Sequence, residues 1–158
     1  MKYVDTKVVF REVPDELTLA INISGCPVKC PGCHSAYLAK DIGEILDKDS
    51  LARLIEGNPG ISCVSFMGGD GDPAYVRDLA AWAKSAYPGL KACWYSGRDL
   101  ENARPNLDIL DFVKVGPYMD EYGPLDSENT NQRFYRIEHT TDGPVLTDWT
   151  SRFRKRVF

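Results

Sequence analysis

The chain has 158 residues, 43% hydrophobic and 27% charged, with 19 Lys+Arg against 23 Asp+Glu and a net charge of −4. That composition excludes a disordered or membrane-embedded chain and gives no basic surplus for nucleic acid or an anionic membrane. The length predicts one domain with a real core.

Five cysteines are present, and Cys26, Cys30 and Cys33 fall within eight residues. An odd count with such clustering argues against a secreted disulfide framework. It points to a metal or redox site in a reducing compartment. Residues 1–7 lack an apolar signal core, and no run of about 18 apolar residues occurs, so the expected location is the cytoplasm. No internal repeat and no long linker divides the chain. The basic segment 152–158 reads as a solvated or edge-strand tail, or as a docking strip for an acidic partner.

Along the chain, residues 17–24 alternate apolar and polar and lead straight into the cysteines. Lys48–Glu56 carries Leu51, Leu54 and Ile55 at helical spacing, with Asp47, Asp49 or Ser50 as caps and Gly57 as the stop. Residues 61–67 form a short β-branched run ending at Gly68-Gly69. Residues 73–87 read as a helix with Asp72 at the N-cap and Pro73 at its first position. Residues 90–95 are a third strand-like run, 99–103 one helical turn, Phe112–Val115 a fourth strand and 134–138 a further one. Strands alternating with helices predict an α/β fold with a mainly parallel sheet. Ligands in such sheets bind beyond the carboxyl ends of the strands. The post-strand segments holding the cysteines, Gly68-Gly69-Asp70, Ser96-Gly97 and Gly116-Pro117 should therefore share one rim.

The cysteine spacing is C-x3-C-x2-C. Three thiolates can hold a [4Fe–4S] cube and leave one iron open to a small molecule. The alternative is zinc, which wants four N/S ligands, usually in two separated pairs. The remaining candidates are His34, Cys63, Cys93 and His139. His34 adjoins Cys33, and Cys63 and Cys93 lie in predicted strands, where free cysteine packs as a small hydrophobe. Phe66, Trp82, Tyr87 and Trp94 read as scaffold. Trp149 and the 153–158 segment suit either an interface or a strand-covering role.

C-x3-C-x2-C after the first predicted strand, followed by Gly68-Gly69-Asp70 after the second, resembles the radical S-adenosylmethionine superfamily. The pattern Cys-x-x-x-Cys-x-Gly-Cys-His, the stretch Trp94-Tyr95-Ser96-Gly97, Lys114-Val115-Gly116-Pro117-Tyr118 and Thr130-Asn131-Gln132-Arg133-Phe134 narrow it. Together they resemble the activating proteins of anaerobic ribonucleoside-triphosphate reductase, over residues 17–136. The resemblance implies a single domain over 1–158, with a core of about 17–136 and a C-terminal extension of 137–158. Its fold would be a shortened, open, partial (β/α) barrel. Cys26, Cys30 and Cys33 would ligate a [4Fe–4S] cluster whose fourth iron is chelated by S-adenosylmethionine. Reductive cleavage would give a 5′-deoxyadenosyl radical that takes hydrogen from a backbone glycine of the reductase. An electron donor such as flavodoxin would reduce the cluster.

By the same resemblance, Gly68, Gly69 and Asp70 would hold the methionine ammonium. The sequence reads Asp70-Gly71-Asp72-Pro73, so either acid can serve while the other caps the helix. Gly32 cannot stack on adenine, which leaves that role to His34, Tyr37 or backbone. Ser96 and Lys114 would contact the carboxylate or ribose, unless Lys114 points out of an edge strand. Asn131, Gln132 and Arg133 would bridge the cofactor or line the partner groove, unless they are only a polar lead into a strand. The short chain suggests a substrate that is itself a protein. Rival readings are activation of another glycyl radical enzyme, a small-molecule radical reaction, and a zinc-stabilised binding module.

Overall fold

The computed structural model describes residues 1–28 and 36–154. The chain folds as a mixed α/β protein around one eight-stranded sheet of order β3-β1-β2-β4-β5-β6-β7-β8. The strands are β1 Lys2–Val9, β2 Thr18–Ile23, β3 Glu44–Ile45, β4 Cys63–Met67, β5 Lys91–Tyr95, β6 Phe112–Val115, β7 Arg133–Thr140 and β8 Gly143–Asp148. The helices are α1 Lys48–Glu56, α2 Pro73–Ala86 and the single turn α3 Leu100–Ala103. Among the described residues no helix is long and apolar enough to cross a membrane.

The sheet is mixed rather than mainly parallel. β2, β4, β5 and β6 run parallel to one another, whereas β1, β3, β7 and β8 pair antiparallel with their neighbours. Of these, β1, β7 and β8 come from the two ends of the chain, and β3 from the segment between β2 and β4. β1 hides from a hydropathy reading because Asp5 and Lys7 interrupt its β-formers. Their charges are tolerated because β1 is half-exposed or exposed along its length.

Successive parallel strands lie side by side in chain order. Each right-handed crossover therefore moves the same way, and the connecting helices must fall on one face. They do. Leu51 and Ile55 of α1, and Val76, Leu79, Ala80 and Ala83 of α2, pack on Leu19, Ile21, Val64, Phe66, Trp94 and Val113. Each large apolar side chain fully buried there contributes roughly 1.5–3 kcal/mol. The caps are those that helix termini require. Asp47 accepts from the Ser50 amide in a capping box, Asp72 accepts from Tyr75 ahead of Pro73, and Asp99 accepts from Asn102.

The opposite face carries no helix. Its lower part, toward the amino ends of the parallel strands, is filled by Val13, Cys63, Cys93 and Phe112, with Phe134 packed against them from one row above. Trp149 and Phe153 fold back onto it, with the Phe153 ring 4.8 Å from that of Phe134. Arg152 stacks over Trp149 at 4.4 Å and pairs with Asp15 at 2.8 Å, joining the two terminal segments. Cys63 and Cys93 are free and fully buried, as their place in strands suggested. Burial pushes both thiols well above their ordinary pKa.

Candidate functional site

Strand register builds the floor of the site. Asn22 pairs with Met67, Met67 with Tyr95, Tyr95 with Lys114, and Lys114 with Phe134. Residues paired across a sheet point to the same side. This row therefore crosses five strands on the helix-free face, at the carboxyl ends of the parallel strands. Above it lies a cleft of about 260 Å³. Ile23, Cys26, Val28 and Leu38 form its wall at the β2 end. Tyr118, Pro124, Leu125 and Gln132 form the wall at the β7 end.

The cysteine loop is anchored at its base. The Gly25 amide donates to the Lys40 carbonyl at 3.0 Å and the Cys26 amide to the Leu38 carbonyl at 2.9 Å. The Ser24 hydroxyl donates to the Ile42 carbonyl at 2.5 Å. Val28 then rests on the loop after β5, where a Cβ on Gly97 would lie 3.1 Å from a Val28 methyl. A side chain at Gly97 would push Val28 away. Cys26 is half-exposed, free and part of the cleft wall. Cys30, Cys33 and His34 lie outside the described residues.

The Gly-Gly-Asp turn serves close approach first. Gly68 has φ +114° and Gly69 φ +93°, in the left-handed half of backbone space where side chains are strained. A Cβ on Gly69 would lie 2.6 Å from Val76 Cγ2 of α2. The Gly68 carbonyl accepts the Trp94 indole N–H at 2.7 Å, so that oxygen already has a donor. Trp94 therefore positions the turn, a role its apolar context did not reveal. Gly68 faces the cleft and Gly69 does not.

Asp70 and Asp72 separate cleanly. Asp72 caps α2, whereas Asp70 is 4% exposed and lines the cleft. Asp70 accepts from the Ser96 hydroxyl at 2.5 Å and the Gly97 amide at 2.9 Å, which clamps the β4 and β5 loops together. Ser96 is fully buried behind this clamp. Its hydroxyl also accepts from the Arg98 amide at 3.0 Å, so Ser96 is placed to fix Asp70 and not on the cleft wall.

Lys114 does not point out of an edge strand. β6 lies between β5 and β7, and the side chain enters the cleft, 9% exposed. Its ammonium donates to the carbonyls of Ser96 and Gly116, both at 3.0 Å, and sits 5.8 Å from the centre of the Tyr95 ring. Asn131 lies behind the wall. Its amide nitrogen donates to the Pro117 carbonyl at 2.9 Å, and its oxygen is buried with no partner among the described residues. Tyr37 is exposed, and its neighbour Leu38 is the residue that enters the wall.

The cleft thus holds one buried carboxylate and one buried ammonium between apolar walls, with a cysteine at its edge. Opposite charges set in a low-dielectric surround suit a zwitterionic ligand. Cys26 is the one proposed iron ligand among the described residues, which hold no group of three metal-ligating side chains. Fold and site define an α/β protein in which Cys26 and Val28 line a cleft at the carboxyl ends of four parallel strands. The chain belongs to the 4Fe-4S single cluster domain family, which it matches over residues 17–136. It is an iron–sulfur cluster protein by that membership. No curated protein and no solved structure matches it.

Proposed function

We propose that this chain is a radical S-adenosylmethionine enzyme that activates anaerobic ribonucleoside-triphosphate reductase by forming its glycyl radical. The reading is carried by the cleft that Cys26 shares with Asp70 and Lys114 at the carboxyl ends of parallel strands. The sequential strand order, with helices on one face, supports the finer description of a shortened partial barrel. When bound, the [4Fe–4S] cluster and S-adenosylmethionine supply one-electron cleavage of a carbon–sulfur bond and a 5′-deoxyadenosyl radical.

The chain's own residues have separable tasks. Cys26, Cys30 and Cys33 hold iron. Lys114 offers its cation to the methionine carboxylate. Asp70 offers negative charge to the ammonium while its clamp to Ser96 and Gly97 fixes where that charge sits. Met67, Tyr95 and Leu125 exclude water from the reacting groups. A cytoplasmic setting and a flavodoxin-like electron donor belong to the same proposal.

The test is anaerobic reconstitution followed by reaction with S-adenosylmethionine, a reductant and the reductase. Expected are about 4 Fe per chain with broad visible absorption, 5′-deoxyadenosine, and a glycyl radical signal by electron paramagnetic resonance. Cys30→Ala should lose all three. A colourless protein holding one zinc, or efficient turnover of a small molecule with no radical on the reductase, would overturn the proposal.

A further inference from the structure

Seventeen residues separate β6 from β7, although the two strands are adjacent and antiparallel, with Val115 paired to Arg133. Closing such a pair takes about two to five residues. The surplus is not slack. The Asn131 side-chain amide donates to the Pro117 carbonyl at 2.9 Å and joins the two ends of the connection. The Tyr122 and Gly123 amides both donate to the Met119 carbonyl at 3.0 Å, and the Ser127 amide donates to the Pro124 carbonyl at 3.0 Å. A Cβ on Gly123 would lie 2.9 Å from Ser127 Cβ, so the first of these turns packs on the second. A compact loop whose ends meet, held by its own turns, is a built surface, and such loops commonly carry function.

That surface continues the cleft. Tyr118, Pro124 and Leu125 face inward as the wall at the β7 end. Met119 and Tyr122, close to them in the chain, are 37% and 41% exposed. On the opposite wall, Tyr37 is 43% exposed beside the wall residue Leu38. Large apolar side chains thus stand exposed on both lips of one opening. A single exposed apolar residue needs no explanation, whereas several around one cleft mark contact with a macromolecule.

Charge selects the partner. Residues 116–132 contain Asp120, Glu121, Asp126 and Glu128 and no Lys or Arg. Asp120, Glu121 and Glu128 are exposed and have no ion pair among the described residues. Three uncompensated carboxylates repel nucleic acid and an anionic membrane and attract a basic chain. The lips lie outside a cleft of about 260 Å³, so their occupant is larger than what the cleft itself holds.

We propose that the 117–131 loop is the docking surface for a lysine- or arginine-bearing segment of the protein substrate, laid across the cleft mouth with its apolar side chains against Met119 and Tyr122. The identification of that protein as the reductase rests on the function proposed above. The loop then selects the partner by charge, while the cleft keeps the tasks of holding iron and cofactor.

The test has two arms, both on the anaerobically reconstituted full chain. One measures binding of two fluorescent peptides, identical around a central glycine but flanked by lysines in one and by glutamates in the other. The second follows association with the reductase by surface plasmon resonance at low and high salt. Wild type should bind the lysine peptide at least about tenfold more tightly than the glutamate peptide at low salt. Asp120→Lys/Glu121→Lys should slow association with the reductase about tenfold at ~50 mM salt and by under about twofold at ~500 mM. Tyr122→Ser should speed dissociation about fivefold at either salt. Iron content, melting temperature and cofactor cleavage without the reductase should match wild type in both variants. Wild-type association by the charge variant, or tighter binding of the glutamate peptide, overturns the inference, and the function reading stands if the reductase still gains its radical. Salt-sensitive self-association of the chain, lost in the charge variant, would make the occupant a second copy and also overturns it. A wild type that binds the lysine peptide but places no radical on the reductase sinks the function reading and leaves the basic-segment surface in place.

Discussion

Removing the Asp70 carboxylate should loosen the fold as well as the cleft. In Asp70→Ala the Ser96 hydroxyl and the Gly97 amide lose their shared acceptor inside a site that is almost closed to water. Hydrogen bonds to a charged group are worth about 1.5–3 kcal/mol each, and an unpaired buried donor keeps its desolvation cost. Part of this is offset because the variant no longer buries a charge. The net expectation is about 3 kcal/mol. For a chain of this size that corresponds to a fall of roughly 6–12 °C in Tm. Circular dichroism melts and urea titrations of Asp70→Ala, Ser96→Ala and the double variant give the assay. The double variant should cost less than the sum of the singles, by about 1–2 kcal/mol, because both changes break one shared bond. Asp70→Asn keeps one acceptor and should lose about half as much as Asp70→Ala. A Tm change below about 2 °C for Asp70→Ala, with additive singles, would refute the clamp; the fall expected above is several times larger.

Gly69→Ala places a Cβ 2.6 Å from Val76 Cγ2 at φ +93° and should destabilise by about 2–3 kcal/mol, read as a shift in urea midpoint. Adding Val76→Ala should relieve the overlap but not the backbone strain. Native apo-protein should label at Cys26 with a thiol reagent at pH 8, whereas Cys63 and Cys93 should label only on unfolding. Burial holds both thiols far above that pH and withholds the thiolate; mass spectrometry of labelled peptides checks it. Burial also raises the Glu12 carboxyl above its ordinary value. The folded state then binds a proton that the unfolded state has released, so stability is fullest below the unfolded pKa and is lost as pH rises through the folded one. Glu12→Gln should therefore raise the urea midpoint at pH 7.5 and leave it nearly unchanged near pH 4.

The parallel centre of the fold was legible because its strands are short, β-branched runs bounded by Gly or Pro, and its helices have acidic caps. Of the antiparallel flanks, β7 was legible as residues 134–138, and β1 and β8 were not. β1 and β8 are largely exposed, so neither alternation nor hydrophobic run marks them. In the site, Asp70 against Asp72 could not be separated from local sequence, since both sit between glycines and a proline. Only the approach of Ser96 and Gly97 decides which acid caps a helix and which faces the cleft. Lys114 read equally as an outward edge residue, because the strand that covers β6 arrives from residue 133 onward. Trp94 read as core. Its indole bond to the Gly68 carbonyl joins groups 26 residues apart and leaves no local signal.

The helix-free face also explains why the cleft sits where it does. One step below the floor row, register aligns Ala20, Ser65, Cys93 and Phe112. Three of these are small, and a sheet face of small side chains must be covered to bury its area. Val13 from the β1–β2 connection and Phe153 from beyond β8 supply that cover, clasped by Arg152 and Asp15. The row above carries Asn22, Met67, Tyr95 and Lys114, longer and more polar; the Tyr95 hydroxyl reaches the Glu12 carbonyl of the β1–β2 connection, and all four side chains line the cleft. The two ends of the chain thus fill the lower part of the interior and leave the upper part to a ligand. On this argument, shortening the half-buried Phe153 to Ala should loosen the packing on Phe134 by about 2 kcal/mol, while leaving the iron content after reconstitution unchanged. Lost stability with intact iron loading would separate the plug from the site. Loss of iron in the still-folded variant would show that the two rows act as one unit.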